Sequence, residues 1–154
     1  MKAYGMAGHV IRRLHQLSTH VFSKRMADVG FDLTPVQFAA MDAVIARPGI
    51  DQAGIAAAIA YDRATIGGVI DRLEQKGFVE RRVCKRDRRA REVRPTKKGL
   101  AAFEEILPVV VALQEDILTG LDDTERATFL RLAEKAIGTP PEGQPETPET
   151  SKPA

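Results

Sequence analysis

Apolar side chains recur at helical spacing along most of this chain. Val10, Leu14, Leu17 and Val21 draw the core stripe of a first helix expected over about residues 7–28, which Gly30 stops. Thr34-Pro35-Val36-Gln37 then combines an N-cap hydroxyl, a proline at the first helical position and a glutamine three residues after the cap, an arrangement that satisfies two orphan backbone donors. Phe38, Met41 and Ile45 form the buried side of this second helix, and Pro48-Gly49 ends it. Asp51 is placed to cap a short third helix through Ala60. Asp62 is placed to cap a fourth, whose Ile66, Val69, Ile70 and Leu73 turn inward before Gly77. Two capped helices joined by a tight turn predict a helix-turn-helix.

The period then changes. Phe78 to Val83 and Arg91 to Arg94 alternate weakly on either side of a charged gap, Cys84 to Ala90, which predicts a two-stranded hairpin with a basic tip. Helical spacing resumes at Thr96-Lys97-Lys98-Gly99. Leu100, Phe103, Leu107, Val110, Val111, Leu113, Ile117 and Leu118 give the helix over about 97–118 more apolar surface than one small domain can cover, so a partner helix is expected. Asp122 with Glu125 repeats the capping box for a last helix bearing Phe129, Leu130, Leu132 and Ile137. Thr139 to Ala154 hold five of the nine prolines and no large apolar side chain, which predicts a disordered tail. The order is four helices, a hairpin and two helices, a mostly α (α+β) class.

Composition narrows the function. The 154 residues, 44% hydrophobic and 29% charged, fit one globular domain plus a tail. No apolar run approaches the roughly 18 residues of a membrane span, and the N-terminus lacks a signal-peptide core, so a cytoplasmic protein is expected. A single cysteine, Cys84, excludes a disulfide framework within the chain. No nucleophile with a base, metal-ligand cluster or phosphate loop is legible, and the expectation is a protein that is not an enzyme and carries neither cofactor nor metal. The net charge of +2 hides a polarised chain. Residues 72–98 carry twelve Lys/Arg against four Asp/Glu, whereas residues 99–154 carry four against eleven. A basic belt of this kind is a footprint for phosphate backbones.

Asp62-Arg63-Ala64-Thr65-Ile66, the run Val69 to Arg81, Asp87-Arg88-Arg89-Ala90-Arg91 and Thr96-Lys97-Lys98-Gly99 together resemble the multiple-antibiotic-resistance-regulator (MarR) family of bacterial transcription factors, over about residues 7–138. The resemblance implies an obligate dimer with winged helix-turn-helix lobes. In many members a small phenolic or aromatic acid, bound between the lobe and the dimerisation helices, releases DNA. Residues 1–138 are then one such domain, with a DNA-binding lobe over about 34–95 and dimerisation helices over about 7–28 and 97–138.

The residues agree with that implication. A recognition helix in the major groove presents small or hydrogen-bonding residues near its N-terminus, and Arg63, Thr65, Gly67 and Gly68 supply them, with Arg72 further along. Two helical glycines cost about 1 kcal/mol each relative to alanine, and close approach to DNA would offset that cost. Gly68 lies opposite the apolar positions, while Gly67 at their edge suits either packing or DNA. The wing tip carries Arg86, Asp87, Arg88 and Arg89; arginine there suits a narrow minor groove. By resemblance Asp87 and Arg89 form the family's Asp-x-Arg pair, Asp87 ordering the loop and Arg88 or Arg89 entering the groove. Cys84 reads as a passive hairpin residue, the alternative being a reactive thiolate among Arg81, Arg82, Lys85 and Arg86.

All three histidines lie on the first helix, where His9, Arg13, Gln16 and His20 fall within about 60° on one flank of the stripe. Such a band could hold a carboxylate, or serve as a solvated or dimer-facing flank. Ile11-Arg12-Arg13-Leu14-His15-Gln16 and Leu33-Thr34-Pro35-Val36-Gln37 are similar to stretches in the aromatic-catabolism branch of the family. The expected function is a homodimeric, sequence-specific repressor of a pseudo-palindromic DNA operator, released by a small organic anion. The alternatives are a sequence-independent, nucleoid-like DNA binder and a winged-helix module that binds protein.

Overall fold

The computed structural model describes residues 4–83 and 91–138; the expected wing tip at 84–90 and tail at 139–154 lie outside them. The element order is α1 (Ala7–Asp28), α2 (Pro35–Ala46), β1 (Ile50–Asp51), α3 (Gln52–Ala58), α4 (Ile66–Gln75), β2 (Val79–Val83), β3 (Arg91–Pro95), α5 (Lys97–Ile117) and α6 (Asp123–Ile137). The chain divides into two compact units, one ending at Ile117 and one beginning at Leu118.

In the first unit the helix starts follow from their caps. Thr34 Oγ1 accepts from the Gln37 amide at 3.3 Å while Gln37 Oε1 accepts from the Thr34 amide at 3.4 Å, and this reciprocal pair opens α2. Asp51 Oδ1 accepts from the Gly54 amide at 2.7 Å to open α3. The core draws on all five helices of this unit and on β3: Met26, Met41, Val44, Ile55, Ile66, Ile70, Leu73, Val93, Ile106 and Leu113 are fully buried. Phe38 and Phe103 stack with ring centroids 5.1 Å apart, fastening α2 to α5.

Three expectations are corrected. The stripe Val10, Leu14, Leu17 and Val21 meets the core only at its C-terminal end: Val21 packs against it, whereas Val10 and Leu17 are about 45% and 44% exposed, and the buried residues of α1 are Phe22 and Met26. Helical periodicity reports an apolar face without saying whether the same chain covers it. The sheet has three antiparallel strands in the order β1-β3-β2, not two, because Ile50 and Asp51 pair with Val93 and Glu92. A two-residue strand has no period to read. Finally, Asp62 does not cap α4. That helix starts at Ile66, after a turn in which the Asp62 carbonyl accepts from the amides of Thr65 and Ile66, and Thr65 at the N-cap makes no side-chain cap bond. The Asp62 carboxylate is engaged by the Thr65 hydroxyl instead of a helix amide.

The ends of α4 are tied down. Before it, Tyr61 N donates to Ala56 O at 2.8 Å across Ala60, which is held at φ +51, the left-handed region that costs an L-residue roughly 1 kcal/mol. After it, the Thr96 hydroxyl donates to Gly77 O at 2.6 Å and accepts from the Gly99 amide at 2.9 Å, and Lys98 Nζ donates to Lys76 O at 2.7 Å. Gly99 is buried with its α-carbon pressed on the Phe78 carbonyl; a Cβ there would lie 1.9 Å from that oxygen. Lys76 Nζ bridges the Asp32 carbonyl and carboxylate, joining the α1–α2 connection to the end of α4. The Lys76 ammonium holds the Asp32 carboxyl below its usual range, so this pair supports the fold above about pH 4 and loses its contribution as pH falls further. Within α5, Pro108 interrupts the ladder of backbone donors.

The second unit is one helix with both ends closed. Asp122 Oδ1 accepts from the Glu125 amide at 2.9 Å, Glu125 Oε2 accepts from the Asp122 amide at 3.0 Å, and Gly138 ends α6 at φ +77. No residue of α6 is buried in this chain, and Leu130, Leu132 and Ile137 are exposed.

Candidate nucleic-acid interface and effector cleft

Helix α4 turns Ile66, Val69, Ile70 and Leu73 into the core, which commits the opposite face to solvent. Gly68 lies on that face, exposed, and a Cβ built on it meets nothing within 4 Å. No packing reason within the described residues therefore requires glycine there. Gly67 differs. It is half-buried, its carbonyl accepts from Arg81 Nη2 at 3.3 Å, and a Cβ on it would come 3.4 Å from Gln52 Nε2. Arg63 and Thr65 are exposed on the turn leading into α4. Arg72 is exposed near the other end, and its charge adds to the lowering of the Asp32 carboxyl.

Sequence reasoning missed Arg81. Its side chain, only 14% exposed, reaches from β2 to α4, where Nη1 donates to Glu74 Oε2 at 3.1 Å and Nη2 reaches both Asp71 Oδ1 and the Gly67 carbonyl. The Arg81 amide donates to Glu74 Oε1 at 3.2 Å, so backbone and side chain are fixed by one helix. Gly67, Asp71 and Glu74 are spaced four and three apart, one face of α4, and the planar guanidinium fork spans them. The Gly67-x-x-x-Asp71-x-x-Glu74 spacing followed by a strand arginine was the available signal. This clamp joins strand β2 to α4. Arg86, Asp87, Arg88, Arg89 and Cys84 lie outside the described residues.

On α1, Tyr4, Gly5, His9, Val10, Arg13, Leu14 and Leu17 line a surface cleft of about 460 Å³. Of the four residues expected in a polar band, the structure brings His9 and Arg13 into this cleft, and Gln16 and His20 are not among its lining residues. Gln16 Oε1 instead accepts from Arg12 Nη1 at 3.1 Å. Arg12 Nη2 also lies 3.5 Å from His9 Nδ1; a guanidinium only donates, so this contact suits the tautomer with its proton on Nε2. His9 Nε2 is buried without a hydrogen-bond partner. The Tyr4 ring, 5.2 Å from the imidazole by centroid, closes one side. The apolar walls are the stripe residues Val10, Leu14 and Leu17, left uncovered by the chain's own core.

A family model described as "MarR family" matches residues 31–90. The transcriptional regulator HosA of Escherichia coli O127:H6 is 30% identical over 133 residues, covering 86% of this chain and 96% of HosA. The HTH-type transcriptional repressor NicR of Pseudomonas putida is 31% identical over 130 residues, 84% of this chain and 81% of NicR. Among solved structures, BpsR of Bordetella bronchiseptica, whose DNA binding is regulated by 6-hydroxynicotinic acid, superimposes with a TM-score of 0.78 at 28% identity, over 86% of this chain and 94% of BpsR. PcaV of Streptomyces coelicolor in complex with its natural ligand gives 0.77 at 26% identity, over 88% and 94% of the two chains.

Proposed function

The chain belongs to the MarR family of transcriptional regulators, and from that premise we propose a homodimeric repressor that binds a pseudo-palindromic operator and leaves it when a small aromatic acid occupies the α1 cleft. The observation that carries the effector half is the buried, partnerless Nε2 of His9 beside the cation of Arg13, in a cleft otherwise walled by Val10, Leu14 and Leu17. A buried polar nitrogen without a partner is costly, and in the tautomer that carries the proton on Nε2 a carboxylate satisfies it while an aromatic ring covers the apolar wall. 6-Hydroxynicotinic acid, the regulator of BpsR, has that chemistry, a ring bearing one carboxylate.

Exposed apolar residues supply the surface for a second copy: Leu100, Leu107 and Val111 on α5, and Leu130, Leu132 and Ile137 on α6. A two-fold dimer sets its recognition helices about one DNA turn, ~34 Å, apart, so the operator reads as an inverted repeat. Titration against the chain's own upstream intergenic DNA, with mixed competitor duplex, tests the function. A repressor discriminates between the two, a nucleoid-like binder does not, and a protein-binding module ignores both.

Gly68→Ala tests the recognition helix. Because the free protein leaves room for a methyl group, the substitution should stabilise the apoprotein by about 1 kcal/mol in a thermal melt. If α4 approaches the major groove through this face, the same substitution lowers operator affinity. Unchanged affinity would move Gly68 out of the interface. For the cleft, Arg13→Ala should cost ~1.5–3 kcal/mol of effector affinity while leaving effector-free DNA binding nearly intact. Benzoate-, cinnamate- and nicotinate-like acids, screened by displacement of operator DNA, provide the measurement. An acid that displaces DNA equally well from wild type and variant removes Arg13 from the sensor.

A further inference from the structure

The turn before the recognition helix carries more than a contact residue. Thr65 Oγ1 lies 3.1 Å from Asp62 Oδ2 and 3.2 Å from the Asp62 carbonyl oxygen, and Thr65 is exposed at the N-cap of α4. A hydroxyl has one proton to give and two lone pairs to receive with. The Asp62 carbonyl already accepts from the amides of Thr65 at 3.2 Å and Ile66 at 3.1 Å, so both its lone pairs are engaged. The carboxylate is therefore the stronger acceptor, and a charge-assisted bond holds the hydroxyl proton on the Asp62 side. With its proton committed, the threonine oxygen faces solvent as an acceptor alone.

We infer that Asp62 makes Thr65 an acceptor-only reader of the major groove, selecting a base that presents an amino group, adenine or cytosine, over one that presents a keto oxygen, guanine or thymine. The inference rests on the reading of Thr65 as a base-contacting residue and goes beyond it by fixing which edge is read. In the major groove adenine N6 and cytosine N4 donate, whereas guanine O6 and thymine O4 accept. An oxygen with no proton to offer bonds to the first pair and repels the second. Reversing a pair, A·T to T·A or C·G to G·C, replaces one kind of group by the other at the same place. The arrangement also accounts for a carboxylate on a face that meets phosphates. Asp62 costs affinity for all DNA alike and returns specificity.

The test uses full-length wild type, Thr65→Val and Asp62→Asn against duplexes from the footprinted upstream region, with each half-site pair reversed in turn. Valine keeps the branched shape and removes the oxygen, and Thr65 makes no cap bond whose loss would unfold α4; melting curves verify folding. Asparagine keeps the shape of Asp62, and its amide can donate to Thr65 Oγ1, releasing the hydroxyl proton toward DNA. The readout is the affinity ratio between a pair and its reversal, because removing the charge of Asp62 raises affinity for every duplex together. Wild type should prefer A or C on the contacted strand at one position per half-site by about 3- to 10-fold, the worth of a single hydrogen bond. Thr65→Val should flatten that preference, and Asp62→Asn should narrow or invert it. A flattened position at which wild type prefers G or T overturns the inference, as does an Asp62→Asn ratio equal to wild type. If Thr65→Val flattens no position, the base-contact reading falls and this inference with it.

Discussion

Gly99→Ala should cost at least about 3 kcal/mol of stability, because the added methyl carbon would sit 1.9 Å from the Phe78 carbonyl oxygen and 2.8 Å from its carbon, backbone atoms that no rotamer change can move. The obstruction falls where the chain can least yield. The Gly99 amide is bonded to Thr96 Oγ1, the Thr96 hydroxyl is bonded to Gly77 O, and the Thr96 amide donates to Phe78 O at 3.0 Å. Separating α5 from Phe78 by the necessary ångström breaks this set and pulls Ala102, Phe103 and Ile106 from the core. A melting temperature lowered by about 10 °C or more is the expected reading. A variant that melts within 2–3 °C of wild type would show that the helix start can shift without loss. Lys97→Ala, two residues away on an exposed position, serves as the control.

The second large effect is expected at Arg81. Arg81→Met keeps most of the apolar stem but removes donors to Asp71, Glu74 and Gly67, leaving two carboxylates on the recognition helix without their cation. Both acids are partly exposed and can be rehydrated, so the loss should be about 2 kcal/mol, below the 3–5 of a fully buried pair. DNA binding should fall further than stability explains. The wing strands lose their tie to α4, and the unmasked charges of Asp71 and Glu74 repel phosphates. Asp71→Asn with Glu74→Gln separates the two causes, since it weakens the clamp without adding repulsion. If Arg81→Met melts and binds DNA as wild type does, the clamp is not what orients the wing.

Much of this architecture was legible in the sequence, for identifiable reasons. Thr34 with Gln37, Asp51 with Gly54, and Asp122 with Glu125 act over three residues, so spacing alone places the starts of α2, α3 and α6. The bounds expected for α1 and α5 agree with the structure to within a residue. Asp62 looked like another cap, but a neighbouring threonine hydroxyl competes for its carboxylate, and a spacing rule does not register competitors. β1 depends on Val93 and Glu92, some forty residues distant, and has no local signature. In the cleft, wheel geometry put His9 and Arg13 on one flank but could not show that Arg12 would draw Gln16 to itself. Arg81 escaped notice because a basic belt reads as one feature, although this member of it points inward while its neighbour Arg82 is exposed.

Pro108 gives α5 a mechanical property its apolar pattern does not reveal. The ring removes one backbone donor, so the Glu104 carbonyl four residues earlier has no helical partner, and the preceding turn is crowded. Bending stiffness is therefore lowest near the middle of a 21-residue rod. On one side of this joint, Gly99, Ala102, Phe103 and Ile106 are anchored in the core. On the other, Leu113 is also buried in the core and Asp116 is tied to Arg25 of α1 by bonds of 2.8 and 2.5 Å. The two arms are thus held by different attachments, and a bend at the joint would change the angle between them without breaking either.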